Sequence, residues 1–262
     1  MKRLLLTTAV TMLLATGAGA ATLNEKIDKT FDVKPGATVE LSNVNGSIKI
    51  TSWDQPRVRV IAEKEVEGDR DEAKAAMKEL RVDIQPKNGG LVITTHYPKE
   101  EHGASSIFSW LMGDDIDAQV TYELMVPRSM SVDVTNTNGS IRLAEITGKL
   151  ALDTTNGKIE VTRCAGTIDA STTNGSINAE LVKIAKGQPL RFETTNGRIS
   201  VAVPTDFAGD IDAGTTNGSI DSDFPVTTTK AGGNSLRGAV NGGGTPLRLR
   251  TTNGSINIRK ST

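Results

Sequence analysis

Thr172-Thr173-Asn174-Gly175-Ser176-Ile177 is one copy of a unit that returns along the chain. Asn-Gly, a polar residue and Ile recur at Asn45-Gly46, Asn138-Gly139, Asn156-Gly157, Asn174-Gly175, Asn196-Gly197, Asn217-Gly218 and Asn253-Gly254. Five of these seven follow Thr-Thr. Gly139, Gly148, Gly157, Gly166 and Gly175 are evenly spaced, and later spacings drift through Gly187, Gly197, Gly209 and Gly218. After each glycine, apolar residues alternate: Ile141/Leu143, Leu150/Leu152, Ile159/Val161, Ile168/Ala170, Ile177/Ala179, Ile199/Val201 and Ile256/Ile258. Period two over a short run reads as a half-buried strand. Asn-Gly accepts positive φ cheaply and so marks the turn between strands. A one-residue slip would turn every Ile outward, so the pattern also fixes register.

Two architectures fit. Hairpins could stack into a sandwich or meander. Alternatively, each 18 to 22 residues form one coil of a β-solenoid, with Asn and Thr aligned in ladders between coils. The solenoid is favoured, because strands this short need stacked neighbours to bury a face. An interior of Ile, Val, Leu and Ala also suits a narrow coil. The expected fold is an all-β, solenoid-like repeat with one short helix on its N-terminal side.

Lys2 and Arg3, the apolar run from Leu4 to Thr16 and the small residues Gly17-Ala18-Gly19-Ala20 read as a secretory signal peptide, cut near Ala20. The run is short for a membrane span. Losing Lys2 and Arg3 takes the formal charge from -1 to -3, so nothing attracts nucleic acid in general. The single cysteine, Cys164, excludes an internal disulfide and a lipid anchor at the cut. The expected location is periplasmic or secreted, with no transmembrane anchor in the mature chain.

The expected organisation is 1–20 signal peptide, 21–127 β-rich N-terminal segment and 128–262 repeat, the last two read as one continuous domain, since the first Asn-Gly unit already stands at Asn45. Ile48/Ile50 and Val58/Val60 read as strands joined around Trp53-Asp54-Gln55-Pro56. Residues 69–80 read as a capping helix, started by Asp69 or Asp71, with Ala73, Ala76, Met77 and Leu80 on one face. Val82/Ile84 and Leu91/Ile93 read as a hairpin around Asn88-Gly89-Gly90. Val120 to Val126 alternates and stops at Pro127. Residues 95–118 break the pattern. They carry an apolar hexad in which Ile107, Phe108, Trp110, Leu111 and Met112 are a candidate partner contact, because long aperiodic connections often carry function.

Chemistry is sparse. His96 and His102 stand beside no nucleophile motif, and six residues apart on a strand-to-loop segment they make poor metal ligands. Cys164 reads as a structural thiol. Asp210/Asp212 and Asp221/Asp223 alternate along strands as a solvated face and match no calcium loop. Gly232-Gly233 and Gly242-Gly243-Gly244 lack the Lys-Ser/Thr of a phosphate loop and read as an irregular coil. The paired threonines could align into an array that binds a repetitive ligand, set against plain β-propensity and turn-side hydrogen bonding. Charged neighbours and uneven repeat lengths argue against an ice-binding plane. No catalytic residue, metal ligand or cofactor is expected.

The Thr-Thr-Asn-Gly-Ser-Ile units resemble the bacterial adhesin-like family carrying the domain of unknown function DUF4097. Asn43-Val44-Asn45-Gly46-Ser47-Ile48 with Ser52-Trp53-Asp54 resembles its opening. Tyr122-Glu123-Leu124-Met125-Val126-Pro127, just before Asn136-Thr137-Asn138-Gly139-Ser140-Ile141, resembles its central strand. The resemblance covers about 35 to 260 and implies a solenoid-like fold in the cell envelope. It offers no catalytic residue. The implied function is a non-enzymatic, adhesin-like binding module with an envelope protein or glycan as partner. The alternatives are an envelope-stress-associated scaffold and, less favoured, a solenoid-type polysaccharide-active enzyme.

Overall fold

The computed structural model describes residues 13–14, 21–98, 116–184 and 186–261. The chain is a β-solenoid: a strand runs up one face, turns at Asn-Gly, and a second strand runs down the other. In the first face, Thr38–Ser42, Ser131–Asn138, Thr147–Asn156, the end of Ile159–Asn174, Leu190–Asn196, Thr245–Asn253 and Gly209–Asn217 stack in that order, all parallel. In the second face the order is Ile48–Trp53, Ile141–Ala144, the start of Ile159–Asn174, Ile177–Lys183, Ile199–Val203, Ile256–Lys260 and Ile220–Ser222. Ile141 lies opposite Ile159 and Asn156 opposite Asn174, and this register is kept from rung to rung except for a shift at Cys164.

Inward positions form apolar columns. Ile48, Ile141, Ile159, Ile177, Ile199 and Ile256 are buried, and Ile220, on the outermost rung, is only partly so. Each buried Ile contributes on the order of 2 kcal/mol by leaving water. Where Phe192 enters the column, its neighbour on one side is Ala170. The larger ring fills the space that the smaller side chain leaves, which keeps the interior closely packed.

The stacking order departs from the sequence order. The coil 245–260 lies between the coils 190–203 and 209–222. The excursion that permits this is an antiparallel hairpin, Thr227–Gly232 with Ser235–Val240. Its second strand pairs antiparallel with Gly209–Asn217 and covers that edge of the first face. The Gly-rich stretches expected to be an irregular coil are therefore the turns of this hairpin and its exit. Asn241, Gly242, Gly243 and Gly244 all have positive φ there.

The other end is closed by antiparallel strands. Gly90–His96 lies parallel to Thr38–Ser42 and pairs antiparallel with Arg81–Lys87 across a two-residue turn at Asn88 and Gly89, both at positive φ. Ile116–Pro127 lies beside Ile48–Trp53, then come Arg57–Gly68 and Ala21–Asp32. In the strand Ala21–Asp32, Ala21 and Leu23 are buried, and Leu13–Leu14 lies antiparallel to Leu23 and Asn24. Charged pairs line this edge, including Lys64 with Glu25 at 2.7 Å and Arg59 with Asp28. The Arg59 hydrogen bond holds the Asp28 carboxyl below its ordinary range. Charges on an outer strand also discourage pairing with foreign chains.

The helix Arg70–Glu79 links Arg57–Gly68 to Arg81–Lys87. Asp69 caps it, its carboxylate accepting from Asp71 N–H at 3.1 Å, and Ala73, Ala76 and Met77 face the core together with Leu80. No helix among the described residues is long and apolar enough to cross a membrane.

Candidate functional site

The Asn-Gly corner is built from three side-chain columns. The asparagines form a continuous amide ladder. Asn138, Asn156, Asn174 and Asn196 each donate Nδ2 to Oδ1 of the preceding asparagine at 2.8 Å, starting from Asn45. Asn253 donates to Asn196 at 2.7 Å, and Asn217 donates to Asn253 at 2.8 Å. At the near end Asn45 Nδ2 donates to the Ala118 carbonyl at 3.2 Å. An amide has both a donor and an acceptor on one side chain, so each asparagine can accept from one neighbour and donate to the other, and the contact repeats from rung to rung.

Glycine sits next to each asparagine for want of space. A Cβ on Gly175 would lie 1.9 Å from the Gly157 carbonyl oxygen, and one on Gly157 would lie 2.0 Å from that of Gly139. Positive φ, the reason expected from the sequence, applies to Gly46, Gly139 and Gly254. At Gly157, Gly175, Gly197 and Gly218 the reason is the close approach of the next coil.

The two threonines of each unit do different jobs. The first points inward: Thr154, Thr172, Thr194, Thr251 and Thr215 are buried, and each Oγ1 donates to a glycine carbonyl of an adjacent rung, at 3.3, 3.1, 2.9, 3.0 and 2.9 Å. Asn136 and Asn43 occupy the same position in the first coils and donate to backbone carbonyls likewise. The second threonine points outward. Thr155, Thr173, Thr195, Thr252 and Thr216 are exposed, and among the described residues none of their hydroxyls has a partner.

Beside this outer column runs a groove of about 540 Å³. Thr173, Thr195, Thr252 and Thr216 form one bank, and Asp153, Ser171, Glu193, Arg250 and Gly214 the other. Rungs repeat about every 4.8 Å, so the five rungs span about 19 Å. The uneven repeat lengths leave the corner regular, because the extra residues fall at the opposite corner, between Lys183 and Leu190 and between Val203 and Gly209. The charges on the bank are engaged. Ser171 donates to Asp153. Glu193 accepts from Arg191 at 2.7 Å, which holds its carboxyl below the ordinary range, and Arg250 pairs with Asp212. The groove thus offers free hydroxyls beside charged groups that are each hydrogen-bonded or ion-paired.

Two further concavities flank the near end. One, of about 670 Å³, is lined by Val33, Pro35, Trp53, Pro56 and Pro127, with Asp54, Gln55 and Arg128 at its rim. The Trp53 N–H is already committed to the Arg57 carbonyl at 2.7 Å. The other, of about 600 Å³, lies between the end of the helix and Thr95-His96-Tyr97. Under it the ladder is plugged by a buried polar cluster. Thr95 Oγ1 donates to Asn43 Oδ1 at 2.8 Å and lies 2.6 Å from Tyr122 Oη, while Tyr97 Oη is 3.1 Å from Asn43 Oδ1 and 2.9 Å from the Asn45 N–H. Burial pushes both tyrosine hydroxyls well above their usual pKa.

His96 is exposed at a strand end, and no group of three metal-binding side chains occurs among the described residues. Cys164 is buried beside a register shift, its thiol pushed up by burial, with Sγ 3.5 Å from the Ile146 N–H. Asp212 pairs with Arg237 and Arg250, Asp221 and Asp223 with Arg259, and Asp210 accepts from the Gly244 N–H at 3.0 Å. His102, Ile107, Phe108, Trp110, Leu111 and Met112 lie outside the described residues.

No curated protein matches the chain in sequence. Among solved structures, a "putative cell adhesion protein" from Clostridium sporogenes aligns over 90% of this chain and 100% of its own, at 11% identity and a TM-score of 0.47. A "putative adhesin" from Bacteroides fragilis aligns over 89% and 96%, at 12% identity and a TM-score of 0.30. A "putative lipid binding protein" from Parabacteroides distasonis aligns over 90% and 97%, at 10% identity and a TM-score of 0.25. The model of the Toastrack family, DUF4097, matches residues 34–259, from the first coil to the last, and the chain belongs to that family.

Proposed function

We propose that the protein is a non-enzymatic, adhesin-like binding module of the cell envelope that holds an extended, neutral, polyhydroxylated polymer, a glycan, along the threonine groove. The observation that carries this reading is the outer threonine column: five exposed hydroxyls at even spacing, none of them hydrogen-bonded among the described residues. An array this regular suits a ligand that repeats, as solenoid surfaces generally do. A polymer of alternating donors and acceptors can satisfy those hydroxyls, while Glu193 and Arg250 beside them are already engaged by Arg191 and Asp212. Asp153 and Glu193, the carboxylates nearest the groove, are both hydrogen-bonded, which favours binding over acid-base catalysis. The signal-like first twenty residues support a place for the module outside the cytoplasm.

The test is calorimetric titration of soluble envelope polysaccharide fragments into the protein and into a Thr173→Val, Thr195→Val, Thr252→Val variant. Loss of binding with unchanged thermal stability supports the groove. Equal binding by both proteins would send the ligand elsewhere. A protein partner is the second reading, motivated by the apolar run Ile107 to Met112. It predicts capture of an envelope protein that is lost when Ile107, Phe108, Trp110 and Leu111 become Ser.

A further inference from the structure

Asn-Gly is the dipeptide most prone to cyclise on itself, because no side chain shields the glycine nitrogen from the asparagine Cγ. The ladder places seven such pairs in a row, and most of its asparagines are exposed: Asn156, Asn174, Asn196, Asn217 and Asn253 all face solvent. Exposure therefore does not separate them. Hydrogen bonding does. The N–H groups of Gly46, Gly139, Gly157, Gly175, Gly197 and Gly254 each donate to the main-chain oxygen of the asparagine one rung on, at 2.8 to 3.0 Å. A nitrogen so committed must leave its bond before it can attack, which requires the rung to open.

Gly218 is on the last rung. Among the described residues no acceptor faces its N–H. Its partner residue is held less firmly too. Each interior asparagine of the ladder both donates and accepts through its side chain, whereas Asn217 donates to Asn253 at 2.8 Å and, among the described residues, its Oδ1 accepts from none. Asn217, Gly218 and Ser219 are all exposed.

We infer that Asn217 is a site of spontaneous deamidation, the one rung of the ladder that ages while the others are protected by the fold. The Gly218 nitrogen, having lost its proton to solvent, attacks Asn217 Cγ. The new C–N bond closes a five-membered succinimide, the bond from Cγ to Nδ2 breaks, and that nitrogen leaves as ammonia after taking up a proton. Water then adds to either ring carbonyl, opening it to aspartate or to isoaspartate. No oxidant or reductant takes part. The product carries a carboxylate where the amide donated, so it meets Asn253 Oδ1 with repulsion in place of a hydrogen bond. Isoaspartate also lengthens the main chain by one carbon, next to the Thr215 and Thr216 rung that ends the groove.

The test uses the whole chain, held at mildly alkaline pH in water enriched in heavy oxygen, with peptides mapped by mass spectrometry over time. Asn88, in an exposed two-residue turn outside the ladder, is the internal clock. A parallel sample is kept unfolded in denaturant. The expected result is conversion at Asn217 at least ~10-fold faster than at Asn156, Asn174 or Asn196 in the folded protein, the ratio set by the opening that interior rungs require. In the unfolded sample that ratio should collapse to about one. If Asn217 is intact when half of Asn88 has converted, the inference fails. It also fails if the interior asparagines convert as fast as Asn217.

Discussion

Asn253 donates its side-chain amide to Asn196 at 2.7 Å across 57 residues of sequence. That contact shows what decides neighbours in this fold. The next Asn-Gly pair after Asn196 in the chain is Asn217, yet it lies one rung further out and bonds to Asn253 instead. At the corner, the coils that present Thr, Asn and Gly make the same contacts whichever of them is the neighbour, so the corner alone does not set the order. The hairpin 227–240 selects the order. It holds Gly209–Asn217 from its free side and returns the chain into the gap before it.

A carboxylate cannot replace an amide in the ladder. In an Asn174→Asp variant, the oxygen that takes the place of Nδ2 faces Asn156 Oδ1, acceptor to acceptor. The bond from Asn196 to position 174 survives. We expect a loss of about 1 kcal/mol at neutral pH, kept small by solvent at this exposed corner. Denaturant unfolding should show partial recovery below about pH 3.9, where the protonated acid donates again. A loss that is flat across pH would mean the ladder bond is not what stabilises the corner.

Glycine at the corner and glycine in an open turn should respond differently to the same methyl group. Gly175→Ala puts Cβ 1.9 Å from a backbone oxygen that neighbouring coils hold in place. The cost should exceed ~3 kcal/mol, or the chain should fail to fold. Gly187 has φ +79 with nothing near its Cβ, so Gly187→Ala carries only the left-handed strain of about 1–2 kcal/mol. Comparable midpoints in urea for the two variants would refute the close-approach account.

The repeat, its strand period and its corners are legible in the sequence because each unit states them independently. Ile177 and Ala179 alternate, Asn174-Gly175 marks the corner, and the next unit repeats the message. The helix is legible for the same reason, through Asp69 and the spacing of Ala73, Ala76 and Met77. Rung order is not, since no unit carries a label distinguishing its neighbours. The division of labour within Thr-Thr is hidden until it is known that the first threonine falls on the inward side of the strand. Tyr97 gains meaning only from the distant Asn43 and Asn45, and the Trp53 hollow only from the distant Pro127, although the Trp53 N–H itself is taken by Arg57 four residues on. The strand Ala21–Asp32 is half-buried against a single neighbour over most of its length, so its alternation is weak.

The inner and outer threonines should separate stability from binding. Thr172→Val keeps the shape but leaves the Gly157 carbonyl without its 3.1 Å donor in a buried position. It should cost about 1–2 kcal/mol and leave glycan affinity per folded molecule unchanged. Thr173→Val, on the exposed side, should change stability by less than about 0.5 kcal/mol and weaken binding. Thermal melts and titrations on the same two variants check both halves.

The tyrosine plug makes the near end sensitive to alkali. Burial raises the hydroxyl pKa of Tyr97 and Tyr122 in the folded chain, so the unfolded chain releases those protons first. Their contribution to stability is therefore complete below the unfolded value of about 10 and is lost progressively as pH rises from there toward the higher folded values. Tyr122→Phe removes one of the two titrating groups together with its 2.6 Å contact to Thr95. The variant should be less stable than the parent by about 1 kcal/mol at neutral pH, because the Thr95 hydroxyl loses a partner. Above pH 10 its stability should fall less steeply, so the gap between the two proteins narrows or reverses. Urea midpoints taken from pH 7 to pH 11 give both slopes. Parallel slopes would show that Tyr122 ionises freely and that the plug does not shield it.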